Sequence, residues 1–305
     1  MENELLKEIK EAIKNGELKA YFQPQYYSDS ASIGGAEALV RWVKADGTII
    51  PPSEFIPQLE KEGNVSVVDW FITEQACKMI KTLGDKAVRI SVNFGRGHAH
   101  DKDFIKKLDA LVKAYDIDKR LVGVEITESD VAIERVEVLE WARQIEEAGY
   151  SIAIDDFGSG LSSLSFVKDV PAKILKIDSS FLDDNCQTER GRIALESVFY
   201  FAKRLKLKTV IEGVETDEQL NFIHTCDCDY IQGFLFSRPV PQEDFINMCI
   251  SGKNAKKCLK NSFDNIGLLG QMKLLVDSVY MKYSYIIYSN LSKNAYQIMR
   301  KSNYE

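Results

Sequence analysis

The sequence predicts an α/β protein whose parallel strands close into a barrel. Two observations carry that prediction. Short β-branched runs alternate with stretches of helical periodicity through the middle of the chain. Almost every run also ends in a residue that a buried strand would avoid: Asn93, Glu125, Asp155 with Asp156, Lys176, Glu212 and Gln232. An open doubly wound sheet concentrates function at one switch point, whereas a barrel delivers every strand's C-terminal end to one face. Six polar ends in succession favour the barrel over the open sheet.

The elements follow in order. The first 21 residues are polar and amphipathic, with no apolar core flanked by a cleavage site. KAYFQPQYYS and SIGGAEALVRWV are strand-like runs around a polar turn, Ser28 to Ser32. They read as a hairpin that brings Gln23 and Glu37 to the barrel. Pro51, Pro52 and Ser53 open a short helix. Asp69 to Leu83 is the first regular helix, before the run KAVRISVNF. Phe104, Leu108, Leu111 and Val112 mark the next, before RLVGVEITES. Val138, Leu139, Ala142 and Ile145 then lead to Gly149, a C-cap ahead of YSIAIDDFG. AKILKIDSSF, a helix from Ile193 to Leu205, KTVIEGVE, and a helix after Thr216 with capping-box spacing to Gln219 continue the alternation. CDYIQGFLFS is the last run.

Parity supports closure. Two residues before Asn93, Glu125 and Asp155 stand Ser91, Gly123 and Ala153, all small, while the opposite parity holds Ile90, Val92, Val124, Ile126, Ile152 and Ile154. Strand residues alternate faces, so the bulky set meets outer helices and the small set lines a narrow bore. Beyond Gly252 the rhythm stops. Lys253 to Lys260 is basic and linker-like, Leu268 to Val279 reads as helical, and SYIIYSNLSKNAYQIM reads as a hairpin around Ser292–Asn294. The division expected is a barrel over 1–252, then 253–305 as linker and short C-terminal α/β appendage, or as the truncated start of a further domain.

Composition narrows the function. The 305 residues carry a net charge of −7, which argues against a duplex-DNA binder. No run of about 18 apolar residues appears, so the chain as given reads as cytoplasmic with no membrane span. The six cysteines lack the paired spacing of a zinc site and read as scattered reduced thiols.

Glu37, Asn93, Glu125, Asp155, Asp156 and Glu212 are an all-oxygen donor set of the kind that hard ions such as Mg²⁺ or Mn²⁺ prefer. Adjacent carboxylates repel unless cations lie between them, so one of Asp155 and Asp156 can bridge two ions. Ca²⁺, with looser coordination, is expected to bind and inhibit. Lys176 could orient an attacking water or balance charge. Taken singly, each acid is an ordinary cap or loop residue, Asn93 a turn former and Lys176 a surface lysine. As a set at strand ends they read as a site. Two decoys are set aside: His98-Ala-His100-Asp101 reads as a solvated loop, and Gly158-Ser-Gly160 lacks the Gly-Lys-Ser/Thr ending of a triphosphate site.

On these residues the chain resembles the EAL family. Glu37-Ala38-Leu39 stands in GAEALVRW, and YFQPQ, SVNF, EITES, IDDFGSGLSSLSFV, LKIDSSF, IEGVET and IQGFLFSRP follow in family order, over roughly Leu5 to Ile250. The resemblance implies a TIM-like (β/α)8 barrel with an antiparallel first strand. It implies metal-dependent hydrolysis of cyclic-di-GMP to linear pGpG with two divalent cations. Glu37, Asn93, Glu125 and Asp155 then resemble ligands of one ion; Asp155, Asp156 and Glu212 surround the second. Lys176 matches the lysine that positions the nucleophilic water, so Lys176 and Glu212 are the expected catalytic pair. Gln23, Leu39, Arg41 and Gln232 look like substrate contacts. Glu128 matches a glutamate that fixes the loop after the aspartate pair, a loop linked to dimerisation. A homodimer and a further regulatory domain are the partners implied. Gly95, Leu161 and Ile211 depart from the usual serine, tyrosine and alanine, and none of them removes a ligand. A catalytically silent cyclic-di-GMP receptor is the alternative; silent members commonly lose ligands or the lysine, and this chain keeps them.

Overall fold

The computed structural model describes residues 4–127, 135–159, 164–182 and 188–251. The expectations for Glu128, for Leu161 and for 253–305 lie outside these residues. The described strands are β1 (Leu18–Tyr27), β2 (Ile33–Val43), β3 (Ile49–Ile50), β4 (Arg89–Asn93), β5 (Val122–Thr127), β6 (Ser151–Phe157), β7 (Ile174–Ile177), β8 (Lys208–Ile211), β9 (Tyr230–Ile231) and β10 (Val240–Pro241). The helices are α1 (Glu4–Lys14), α2 (Pro52–Lys61), α3 (Ser66–Leu83), α4 (Phe104–Tyr115), α5 (Arg135–Glu147), α6 (Leu164–Asp169), α7 (Glu189–Arg204), α8 (Asp217–Ile223) and α9 (Gln242–Ser251).

β2 and β4 through β9 pair in parallel, each with the next. β1 joins β9 to β2 and runs antiparallel to both, which closes an eight-stranded barrel. β3 and β10 are two-residue additions on β2 and β1. The closed barrel, the N-terminal hairpin and the antiparallel first strand all stand as the sequence predicts.

Local chemistry explains where the elements begin and end. Thr216 accepts from the Gln219 amide while Gln219 caps back onto Thr216, completing the capping box of α8. Gly149 at φ 89° lets the chain turn from α5 into β6, in a left-handed region where a Cβ would be strained. Pro52 opens α2, where a missing amide hydrogen costs nothing.

The two strand faces meet different partners. Ile90, Val92, Val124, Ile126, Ile152 and Ile154 join one core with Ile72, Ala76, Leu108, Val138 and Ala142 of the outer helices. Ala153, Ile174, Val210 and Tyr230 form a separate inner cluster. The bore is therefore not lined by small residues throughout, and this corrects the expectation from parity. Gly123 leaves space for its neighbours: a Cβ there would lie 3.0 Å from Arg89 Nη1 and 3.0 Å from Ser91 Cβ.

Two close approaches tie the ends of β8 and β9 together. Val214 donates its amide to Gln232 O at 3.3 Å, and Leu235 donates to Val214 O at 3.0 Å. Gly233 lies so near that a Cβ there would meet Val214 O at 2.2 Å. Backbone cannot step aside as a flexible side chain can, so Gly233→Ala should cost roughly 3 kcal/mol of stability. Gly97, where an added Cβ would meet nothing within 4 Å, should accept alanine within about 0.5 kcal/mol. Urea titration of both variants checks the contrast.

Candidate functional site

The register of the parallel strands gathers the polar ends. Glu37 pairs across from Ser91, Asn93 from Glu125, and Asp155 from Thr127, while Lys176 lies across from Val210. Glu212 and Gln232 directly follow β8 and β9 and continue the ladder, donating their amides to Ile177 O and Ile211 O. Gln23 stands opposite Glu37 on antiparallel β1, so mid-strand residues of that strand reach the same mouth.

Lys176 is the centre. Its side chain is 1% exposed, which rules out the surface lysine that its sequence position alone suggests. Nζ lies 2.7 Å from Glu125 Oε2, 2.8 Å from Asp155 Oδ1, 2.9 Å from Glu212 Oε1 and 3.1 Å from Glu37 Oε2. Asn93 Nδ2 donates to Glu37 Oε1 at 2.8 Å, and Gln232 Nε2 donates to Glu37 Oε2 at 2.8 Å.

Asp155 and Asp156 are neighbours on one strand and would ordinarily face opposite sides. The pairing of β6 with β7 shifts between Ile154 and Phe157, and Asp156 takes φ 55°. This local bulge turns the second carboxylate back toward the first. Carboxylate oxygens of Asp155, Asp156 and Glu212 consequently lie within 4.8 Å of one another, as do those of Glu37, Glu125 and Asp155. Asp155 belongs to both groups, and either group could hold a metal ion.

Electrostatics follow from five acids packed around one ammonium. Burial raises the Glu125 pKa, Glu37 and Asp155 add to the rise, and Lys176 opposes it; the carboxyl stands at about 8. Asp156 rises to about 6, from burial and then from Asp155. Burial also lifts Glu212 well above its ordinary value, against the pull of Lys176. Glu37 goes the other way: burial would raise it, but Lys176, Gln232 and Asn93 together hold it below the usual range. Burial would discharge Lys176, and the acids around it, Asp155 foremost, keep it firmly protonated. Glu125 Oε1 is sealed from solvent with no hydrogen-bond partner. An orphaned carboxylate oxygen within an oxygen-only donor set fits a cation as its missing counterpart.

The remaining predicted residues lie around this cluster. Gln232 also donates to Gln23 Oε1 at 3.2 Å, so both are joined to it. Leu39 and Arg41 continue the Glu37 face of β2 toward the rim, both half-buried. Arg41 donates to Val40 O at 2.7 Å and stacks over the Tyr21 ring at 5.9 Å. Glu128 lies outside the described residues.

His98 corrects the solvated-loop reading. It is buried, with Nε2 2.8 Å from Asp69 Oδ2, and is ringed by Trp70, Phe94, Phe104 and Trp141. His100 is exposed, as expected. Sequence reasoning missed Arg89 and Gln25, polar residues set deep in the bore. The available signal was parity: Arg89 is two before Ser91, and Gln25 two after Gln23.

Comparison with known proteins gives a consistent result. The EAL domain profile matches residues 6–239. The signaling protein YkoW of Bacillus subtilis is 36% identical over 239 residues, 78% of this chain but 30% of its own length. The cyclic di-GMP phosphodiesterase RocR of Pseudomonas aeruginosa is 29% identical, covering 79% of this chain and 62% of its own. Among solved structures, the PaMucR phosphodiesterase in complex with c-di-GMP superposes with a TM-score of 0.74 at 28% identity, over 80% of this chain and 100% of that one. An EAL domain protein from Listeria monocytogenes gives 0.68 at 30% identity, over 81% and 98%. The chain thus spans less than a third of the YkoW relative.

A pH dependence follows from the raised acids. Glu125, Asp156 and Glu212 all bind protons more tightly in the folded state than unfolded acids do. Their stabilising contribution is complete below about pH 4 and lost as pH rises through the folded pKa values. In chelator, the urea midpoint should therefore fall between pH 5.5 and pH 8.5. Millimolar Mg²⁺ should flatten that fall, because a bound cation removes the cost of ionising the cluster. An equal midpoint at both pH values in chelator would contradict these charges.

Proposed function

Because the chain belongs to the EAL domain family, we propose that it is a phosphodiesterase that opens cyclic-di-GMP to linear 5′-pGpG. One observation carries the reading: Glu37, Glu125, Asp155 and Glu212 meet at one buried lysine, with Asn93 bonded to Glu37 and Asp156 grouped with Asp155 and Glu212. Relatives named as cyclic di-GMP phosphodiesterases support the substrate. In the reaction, water's oxygen bonds to phosphorus, one P–O3′ bond breaks, and a proton ends on the departing 3′ oxygen.

Glu37, Asn93, Glu125 and Asp155 would hold one divalent cation, and Asp155, Asp156 and Glu212 the second. Two ions of the Mg²⁺ or Mn²⁺ class, when bound, would offset phosphate charge and make water easier to deprotonate. The chain's own groups do the rest. Lys176 Nζ can only donate, so it would orient an incoming water by its oxygen and steady the charge that develops. Glu212, whose Oε1 lies 2.9 Å from Lys176 Nζ, would take the water's proton at a carboxylate oxygen. Gln23, Leu39, Arg41 and Gln232 would seat the substrate, Arg41 with its guanidinium on a phosphate. The same reading keeps a homodimer, with Glu128 fixing the loop after the aspartate pair, a cytoplasmic location and a further regulatory domain. No helix among the described residues is long and apolar enough to cross a membrane.

The silent receptor is the second reading, and Lys176 separates the two. Lys176→Ala should bind cyclic-di-GMP with Ca²⁺ nearly as the parent does. With Mg²⁺ it should hydrolyse at least about 100-fold more slowly, as when one preorganised donor is lost. Calorimetry and product chromatography read the two effects. A parent that binds cyclic-di-GMP yet forms no pGpG with Mg²⁺ or Mn²⁺ is a receptor, and the enzyme reading then falls.

We also propose that 1–252 is the whole catalytic domain. A chain ending at Gly252 should keep its melting temperature within a few degrees and hydrolyse at the parental rate. Unfolding of that shortened chain would show 253–305 to be part of the barrel's packing.

A further inference from the structure

Below the carboxylates lies a second polar assembly that the proposed chemistry leaves unused. Arg89 opens β4 on the face that carries Ser91 and then Asn93. Its Nη1 is sealed from solvent without a hydrogen-bond partner, and of the charges around it Glu125 acts on it most strongly. From its other terminal nitrogen, Nη2, a chain of hydrogen bonds climbs to the site. Arg89 Nη2 donates to Gln25 Oε1 at 2.9 Å, and Gln25 Nε2 donates to Gln232 Oε1 at 2.9 Å. Gln232 Nε2 then donates to Glu37 Oε2 at 2.8 Å and to Gln23 Oε1 at 3.2 Å. Gln25 is fully buried and Gln232 is 4% exposed, so water cannot substitute for a missing partner.

The polarity of this chain has one solution. A glutamine amide can be reversed with almost no change of shape, so sterics do not choose its orientation. The ends choose it. A guanidinium can only donate and an ionised carboxylate can only accept. With Arg89 at one end and Glu37 at the other, both intervening amides must face as observed. Reversing Gln232 would set its oxygen 2.8 Å from the Glu37 carboxylate and leave Gln23 Oε1 facing another acceptor.

We infer that Arg89 is a positioning residue for the site, acting through Gln25 to hold Gln232, and with it Glu37 and Gln23, in the orientation that receives cation and substrate. The inference rests on the reading of Glu37 as a cation ligand. Gln25 is the transmitting link and touches neither cation nor substrate.

Gln25→Glu tests the polarity with little change of size. The new carboxylate still accepts from Arg89 but can no longer donate to Gln232, whose amide must then turn its oxygen toward Glu37. Mn²⁺ binding without substrate, measured by calorimetry at pH 8, should weaken about tenfold, the low end of losses seen when a ligand's supporting partner is removed. KM should rise with it, and kcat at saturating Mn²⁺ and substrate should change much less. The sign is diagnostic, because added negative charge by itself would strengthen cation binding. Arg89→Lys keeps a donor and should retain more affinity than Arg89→Met.

A folded Gln25→Glu, checked by circular dichroism, that binds Mn²⁺ at parental strength or better overturns the relay. If Gln25→Glu does not fold, Gln25→Met removes the link without burying a charge. Parental Mn²⁺ affinity and KM in that variant overturn the proposal, and a clear loss of both supports it. A parent that binds no Mn²⁺ overturns the reading of Glu37 and this proposal together, whereas a binding parent beside an unchanged variant overturns this proposal alone.

Discussion

A buried ammonium holds the mouth of this barrel together. Five carboxylates delivered by four strands cannot share a water-poor space unless something offsets their charge, and Lys176 touches four of them. Truncating one partner of such a cluster typically costs several kcal/mol, since the others remain buried and uncompensated. One positive charge is still too few for five acids. The excess appears as the high pKa values of Glu125, Asp156 and Glu212, with Glu37 alone held low. A bound cation could supply what the lysine does not, so the site's capacity for metal is a consequence of its packing.

The fold delivers these groups because a parallel barrel fixes register from strand to strand. Asn93 lies across from Glu125, and Lys176 across from Val210, by backbone hydrogen bonds alone. Where regular geometry would misdirect a side chain, the backbone departs from it. The bulge at Asp155–Asp156 brings two neighbours to one face, and Gly233 lets the end of β9 press against Val214. These departures cluster at the mouth, where function requires them and the remaining barrel can sustain them.

Much of this was legible in the sequence because both of its periods are strong. The period of two in SVN, GVE and AIDD assigned Ile90, Val124 and Ile152 to the helices and Asn93, Glu125 and Asp155 to the mouth. Helical periodicity and the Thr216 cap fixed the elements between. What escaped had its signal masked by context. Arg89 begins its strand three residues after Lys86, where nothing in the letters separates a buried charge from an exposed one. Gln25 stands in a strand buried along most of its length, where polarity gave no hint of direction. His98 sits among glycine, arginine and aspartate, and only the fold brings Asp69 and four aromatic rings around it. Adjacent aspartates announce chemistry, but nothing in their letters announces the φ of 55° that makes them converge.

Barrel closure carries a consequence for the order of events in the molecule's history. The seam between β1 and β9 joins residues more than 200 positions apart, and Gln232 meets Gln23, Gln25 and Glu37 across it at separations of 209, 207 and 195. Contacts so distant along the chain form late and slowly. A nascent chain on the ribosome carries Glu37, Asn93, Glu125 and Asp155 long before it carries the glutamine that orders two of their neighbours. The centre is therefore completed only once the segment that follows β9 has been synthesised, and a nascent chain that stops short of Gln232 lacks this tie across the seam.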